Sequence, residues 1–286
     1  MRRAAAYTAS SSPARLTPPP NRSKRSSWVD HRDFTATVVR VWRGVLLGVT
    51  LLPQACGQPS DEHQLRDRSF EARFDDESGQ VPVTSVQGVS SVLAGFTKVP
   101  YRKLPAAYLA RTEQDVAPFA ARLRRKSYYV IEGADRFRFL AGRFRINAFV
   151  THDPAWEAAA ETYDEAEAQY LLLDSRVPRR LVQLQQRLAR DGHDAQAFEV
   201  REAFRHPKLN ADDGGASRSR HIYGEAVDLV IGDIDRDGTA DAADKAIVIE
   251  ILDKRLIRNK GGIGLYPGTQ TVHFDVRGHR ARWDSY

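Results

Sequence analysis

From Pro178 onward the apolar residues switch repeatedly between helical and strand spacing. PRRLVQLQQRLARDG sets Leu181, Leu184 and Leu188 three and four residues apart, predicting an amphipathic helix with Gly192 as its C-terminal cap. AFEVREAF alternates as a strand does, and HPKLNADDGGASRSR follows it as a long polar loop. EAVDLVIG predicts a second strand, and AADKAIVIEILDKRL a helix offering Ile247, Ile249, Ile251 and Leu252 for burial. GGIGLYPG reads as a turn-rich connection, and TVHFDVRG as a third strand. Helices mixed with alternating strands of this kind predict an α+β unit over 178–286 with a small antiparallel sheet.

Upstream the pattern is weaker. Between 69 and 154, PVTSVQGVSSVLAGF, SYYVIEG and RFRINAFV have strand character, while PAAYLARTEQDVAPFAARLRRK has helical spacing. With AWEAAAETYDEAEAQYLLL (155–173), whose Ala and Glu content favours a helix, they predict a small α+β accessory region over 69–173. No chemistry-bearing motif stands out there.

Composition sharpens the picture once it is located. The apolar share of 42% and charged share of 28% are those of a chain that can fold around a core. The net charge of +6 comes from the first 43 residues, which hold Arg2, Arg3, Arg15, Arg22, Lys24, Arg25, Arg32, Arg40 and Arg43 against Asp30 and Asp33. The remainder is close to neutral, so the charge does not point to a nucleic-acid partner. The single cysteine, Cys56, ends VWRGVLLGVTLLPQAC: a basic flank, a short apolar run, a small residue and the thiol. That run is too short to span a bilayer and suits a secretory signal. It resembles a bacterial lipoprotein signal, which implies lipidation at Cys56. A plain cleaved signal and a buried helix are the other two readings. Residues 1–37 read as a disordered extension or as sequence upstream of the true start codon, and 57–68 as a polar linker. One cysteine permits no internal disulfide, so the core and metals must stabilise an exported chain.

The chemistry concentrates in two strands. Ser219 to Asp228 reads S-x-H-x-x-G-x-A-x-D, a polar loop entering a strand through a glycine turn. Ala226, Asp228 and Val230 share one face of that strand, and His273 and Asp275 share a face of the last one. Either histidine alone would be read as structural. Together with Asp228, His221 and His273 make a catalytic zinc set, with three protein ligands and a fourth, open position.

The motif S-x-H-x(6)-D followed by G-G-x-G-x-Y-P and V-H-x-D resembles the zinc D-alanyl-D-alanine peptidases, which share a fold with lysostaphin-type peptidases and the hedgehog zinc domain. The resemblance runs from the LVQLQQRL helix to Trp283. It implies zinc bound by His221, Asp228 and His273, and cleavage of peptidoglycan stem or cross-link peptides, as carboxypeptidase or endopeptidase. It also implies an arginine facing the site at Arg205, for a substrate carboxylate or the oxyanion, and Ser219 holding the loop or the substrate backbone. Many members carry an acid three residues before the third ligand, where this chain has Gln270, and several a histidine where it has Thr271. Asp275, the nearest acid on the same strand face, is then expected to orient His273 or to act as the base, with Glu225 as the alternative base. A non-catalytic zinc- and calcium-binding envelope domain is the competing expectation.

A second metal is expected between the second strand and its helix. Asp233, Asp235, Asp237, Asp241 and Asp244 occupy positions 1, 3, 5, 9 and 12 of a twelve-residue loop, with Gly238 at 6 and the Thr239 carbonyl at 7. The loop resembles the calcium loops of dockerins, and implies a structural calcium. The competing reading is an acidic turn in which Asp241 caps the following helix. The expected partners are thus peptidoglycan peptides, with membrane contact only through a lipid anchor, in the periplasm or cell envelope.

Overall fold

The computed structural model describes residues 80–116, 118–151 and 168–284. The expected extension, the signal with Cys56 and the linker lie outside the described residues, as does most of the Ala/Glu-rich segment.

The chain is α+β. A first helix, α1 (Val86–Ala94), leads into β1 (Lys98–Pro100), followed by the short helices α2 (Ala106–Thr112) and α3 (Ala120–Leu123). Next come β2 (Ser127–Ile131), β3 (Phe139–Ala141), β4 (Phe144–Arg145) and β5 (Gln169–Leu171). The strands β1, β2 and β5 form a three-stranded antiparallel sheet, and β3 pairs with β4. Three expectations fall short here, the first being RFRINAFV, of which only Phe144–Arg145 is strand while Ile146–Phe149 is a 3-10 turn. The 82–96 segment is a helix, because Ser85 caps it by accepting from the Gly88 N–H, and Val89 and Leu93, four apart, face the core. The segment 169–171 is a strand despite its helix-favouring neighbourhood, because pairing with β2 overrides propensity.

The second half holds α4 (Arg176–Arg190), β6 (Phe198–Glu202), α5 (Pro207–Asp212), β7 (Ala226–Ile231), α6 (Ala242–Ile251), β8 (Gly262–Leu265), β9 (Thr271–Asp275) and β10 (Ala281–Asp284). Leu181, Leu184 and Leu188 are buried on α4 as their spacing predicts. The helix ends as expected: Gly192 adopts φ +86°, and the N–H groups of Gly192 and His193 return to the Ala189 and Leu188 carbonyls. The polar loop after β6 contains a helix missed in the sequence, α5, capped by the His206 ring, which accepts from the Leu209 N–H.

The sheet has five strands in the order β10-β8-β9-β7-β6, not three. GGIGLYPG contributes β8 itself, and β10 joins it in parallel; the remaining pairs are antiparallel. Val227, Leu229, Val272, Phe274 and Ile263 are buried on one face, which belongs to the core. Asp228 and His273 are paired on the other. One hydrophobic cluster runs from Val89 through Tyr128, Leu181 and Phe204 to Val276. Residues on both sides of the expected boundary near 173–178 thus contribute to a single core.

Gly224 is the turn that brings His221 to β7. It sits at φ +63°, and a Cβ there would lie 2.0 Å from the Leu172 carbonyl oxygen. Both the left-handed backbone and the close approach require glycine. Gly224→Ala is expected to destabilise the protein by about 2 kcal/mol, read as a lower urea midpoint at unchanged slope. An unshifted midpoint would show that this turn relaxes freely.

Candidate metal centre

The register of β7 against β9 sets Asp228 directly opposite His273. Cross-strand partners project on the same face, so imidazole and carboxylate meet: His273 Nδ1 lies 2.7 Å from Asp228 Oδ1. His221 enters from the short 3-10 turn His221–Tyr223, and its Nε2 is 3.1 Å from His273 Nδ1 and 3.3 Å from Asp228 Oδ1. The sequence-predicted triad therefore converges in space.

The protonation states of the rings follow from their outer partners. His221 Nδ1 lies 2.7 Å from the Ala203 carbonyl, which can only accept, so this nitrogen carries the proton and Nε2 turns its lone pair inward. His273 Nε2 faces Asp275 Oδ2 at 3.4 Å, leaving Nδ1 as the inward atom. Two ring nitrogens and a carboxylate oxygen thus crowd together about 3 Å apart, an arrangement that repels itself unless a proton or cation sits among them. Burial pushes the His273 pKa down, but its bonds to Asp228 and Asp275 prevail and raise it to about 9. Burial would raise the Asp228 carboxyl, yet the His221 and His273 interactions hold it well below the usual carboxylate range.

The donor set suits zinc. Ligand atoms on a tetrahedral zinc with bonds of about 2.0–2.1 Å stand roughly 3.3 Å apart, close to the spacing seen. His221 is 3% and Asp228 13% exposed at the side chain, so the centre is nearly enclosed and opens past the carboxylate.

Asp275 is not placed to act as the base. It is fully buried, against the ring nitrogen of His273 that points away from the triad. Its oxygens take the Gly262 N–H at 3.0 Å and the Arg277 guanidinium, with Nε at 2.8 and 2.9 Å. Burial favours its neutral form, but His273 and Arg277 hold the carboxyl far below its ordinary value. Asp275 is a positioning residue that fixes the ring of His273. The close approach depends on Gly262, where a Cβ would fall 2.2 Å from Asp275 Oδ2. Trp283 of β10 lies along the other side of His273, ring centroids 5.1 Å apart.

Glu225 is no base either. Its carboxylate is buried behind the turn among Arg122 (2.6 Å), Lys126 (3.2 Å) and Arg220 (3.3 Å), with Arg122 also stacked over the Tyr223 ring. Gln270 turns away from the triad, and its Nε2 donates to the Asp241 carbonyl at 2.7 Å. Thr271 Oγ1 accepts from Arg201 Nη1 at 3.3 Å.

Arg205 lies near the triad, its backbone N–H bonded to the His221 carbonyl; its Nη1 donates to Asp213 at 3.1 Å, while its buried Nε lies 3.2 Å from Glu202 Oε1 without a hydrogen bond. Arg205 thus stands beside the triad between two acids, Glu202 and Asp213. Ser219 closes a turn through its backbone N–H onto the Ala216 carbonyl, and Asn210 holds the same loop by donating to the Gly215 and Ala216 carbonyls. Two residues beside the triad were missed in the sequence. Burial raises the Glu202 carboxyl, against the pull of Arg205 and His221. Burial, then the Asp228 charge, pushes the Tyr266 hydroxyl up to about 12. Tyr266 belongs to the GLYP turn, which marked it in the sequence without giving it a role.

In the acidic loop only Asp233, Asp235 and Asp237 converge, with carboxylate oxygens within 4.8 Å of one another. Asp241 caps α6, accepting from the Ala243 N–H, and Asp244 completes a capping box. Asp244 accepts from the Ile234 and Asp235 N–H groups through Oδ1 and from Asp241 through Oδ2. The Thr239 N–H donates to Asp237. Helix capping therefore accounts for two of the six residues expected to hold calcium.

Residues 153–275 match the family model described as Peptidase M15. The comparison with curated proteins gives no match. No helix among the described residues is long and apolar enough to cross a membrane.

Proposed function

Because residues 153–275 make this chain a member of the Peptidase M15 family, we propose that it hydrolyses peptidoglycan stem or cross-link peptides at the His221–Asp228–His273 centre. The observation that carries the reading is the convergence of three lone pairs at a nearly enclosed centre with one open side. Zinc bound there would polarise the scissile carbonyl and lower the pKa of its water to about 7. The chain's own residues do the rest. The Ala203 carbonyl and Asp275 fix which ring nitrogens face inward, and the Trp283 ring packs against His273. Tyr266, protonated at working pH, keeps an O–H donor within the field of the Asp228 charge.

The same proposal carries export to the cell envelope, with Cys56 as the lipidation point, and a structural calcium at Asp233, Asp235 and Asp237. The competing reading, a non-catalytic metal-binding envelope domain, is favoured by Gln270, which leaves the usual position of the base without an acid.

Purified protein incubated with muropeptides, with and without zinc, separates the two. Zinc-dependent release of D-alanine or splitting of cross-linked dimers is expected. A zinc-loaded protein that leaves every muropeptide intact would overturn the peptidase reading.

A further inference from the structure

Resting on the peptidase reading, we propose that Glu202 is the general base, standing in for the acid that Gln270 replaces. Strand β6 pairs with β7 as Phe198 to Ile231, Glu199 to Val230 and Val200 to Leu229, and the register then shifts so that Glu202 is opposite Asp228. Simple alternation would put Glu202 with Phe198 and Val200 on the core face. The extra residue, Arg201, is a bulge that turns Glu202 over to the face of the metal centre. Arg201 itself reaches Thr271 on that face. Glu202, Asp228, His273 and Gly264 therefore form one row across four strands. Directly opposed side chains start about 5 Å apart, within reach of a glutamate.

Position and partners single out this acid. Asp275 is spent on Arg277, His273 and Gly262, and Glu225 lies behind the turn among three cations. Glu202 is 26% exposed at the side chain, so it borders the open side. Among the described residues its one polar side-chain contact is Arg205, whose Nε lies 3.2 Å from Oε1. Arg205 is anchored in turn by Asp213 and sets a positive charge beside the carboxylate without a hydrogen bond from Nε, so the Glu202 oxygens remain able to take a proton. In the step, an O–H bond of the attacking water breaks, its proton passes to Glu202 and its oxygen bonds to the scissile carbon. The C–N bond then breaks as Glu202 returns the proton to the leaving amine.

The test compares wild type, Glu202→Gln and Glu202→Asp as zinc-loaded full chains in two assays. On muropeptides, Glu202→Gln is expected to lower kcat by roughly 10²–10⁴-fold with KM within about twofold, and Glu202→Asp to fall between. Zinc content and urea midpoint should stay at wild-type values. In the second assay, acetohydroxamate binding is followed by calorimetry. This ligand gives up a proton as it binds, so Glu202→Gln is expected to weaken it by about tenfold or more. Hydroxamate affinity within threefold of wild type in the Gln variant would overturn the assignment. Inactivity of wild type on every muropeptide would strike the function reading alone, because the hydroxamate assay needs no peptide substrate.

Discussion

His221→Ala is expected to lower kcat/KM by on the order of 10³-fold, equivalent to about 4 kcal/mol of transition-state stabilisation, and to strip zinc from the protein. The ring supplies one of three inward atoms, 3.1 and 3.3 Å from the other two, and its orientation is set from outside by the Ala203 carbonyl. Alanine removes the donor and leaves His273 and Asp228 as a two-ligand site, short of the three protein ligands a catalytic zinc keeps. Zinc content by elemental analysis and kcat/KM should fall together. A variant that loses activity while retaining one equivalent of zinc would show that His221 acts on substrate and is not a ligand.

Glu225→Gln is expected to destabilise the fold by about 3 kcal/mol, the low end for breaking a buried ion pair. The carboxylate is 6% exposed at the side chain and gathers Arg122 and Lys126 from the N-terminal half and Arg220 from the loop that leads to His221. The amide keeps the shape but leaves three cations facing one another. Arg122 is 38% exposed and recovers part of its hydration, which keeps the figure at the low end. Urea unfolding of the metal-free protein reads the effect directly. A loss under about 1 kcal/mol would mean that the cluster behaves as ordinary surface ion pairs.

The core of the site was legible because two local rules sufficed. Strand alternation puts His273 and Asp275 on one face, and the glycine turn lets His221 fold back; both hold. Alternation says nothing about which ring nitrogen faces inward, however, and so it left Asp275 open between base and partner of the ring, and the structure sets it behind the ring. The same rule, applied to β6, would put Glu202 on the core face, since a single bulged residue reverses every later assignment and leaves no mark in the pattern. In the N-terminal half, the valines and serines of 82–96 favoured a strand, although Ser85 and the four-residue step from Val89 to Leu93 marked the helix. The strand at 169–171 depends on β2, some forty residues away, and local propensity could not anticipate that pairing. In the acidic loop, the carboxylate spacing that suggests a cation is equally the spacing that caps a helix, and Asp244 serves the helix.

The shared hydrophobic cluster has a thermodynamic consequence. Tyr128 of β2 packs edge-on to Phe204, 6.2 Å between ring centroids, and the Phe204 carbonyl accepts from Thr151 Oγ1. Phe204 directly follows Ala203, whose carbonyl orients His221. The N-terminal half and the metal centre thus share one packed core. An ion that binds only the native centre stabilises that whole unit by RT ln(1 + [L]/Kd). Zinc held at that centre would therefore lower how often packed strands such as β2 open, and metal supply would then govern the lifetime of the fold against proteolysis as well as its chemistry.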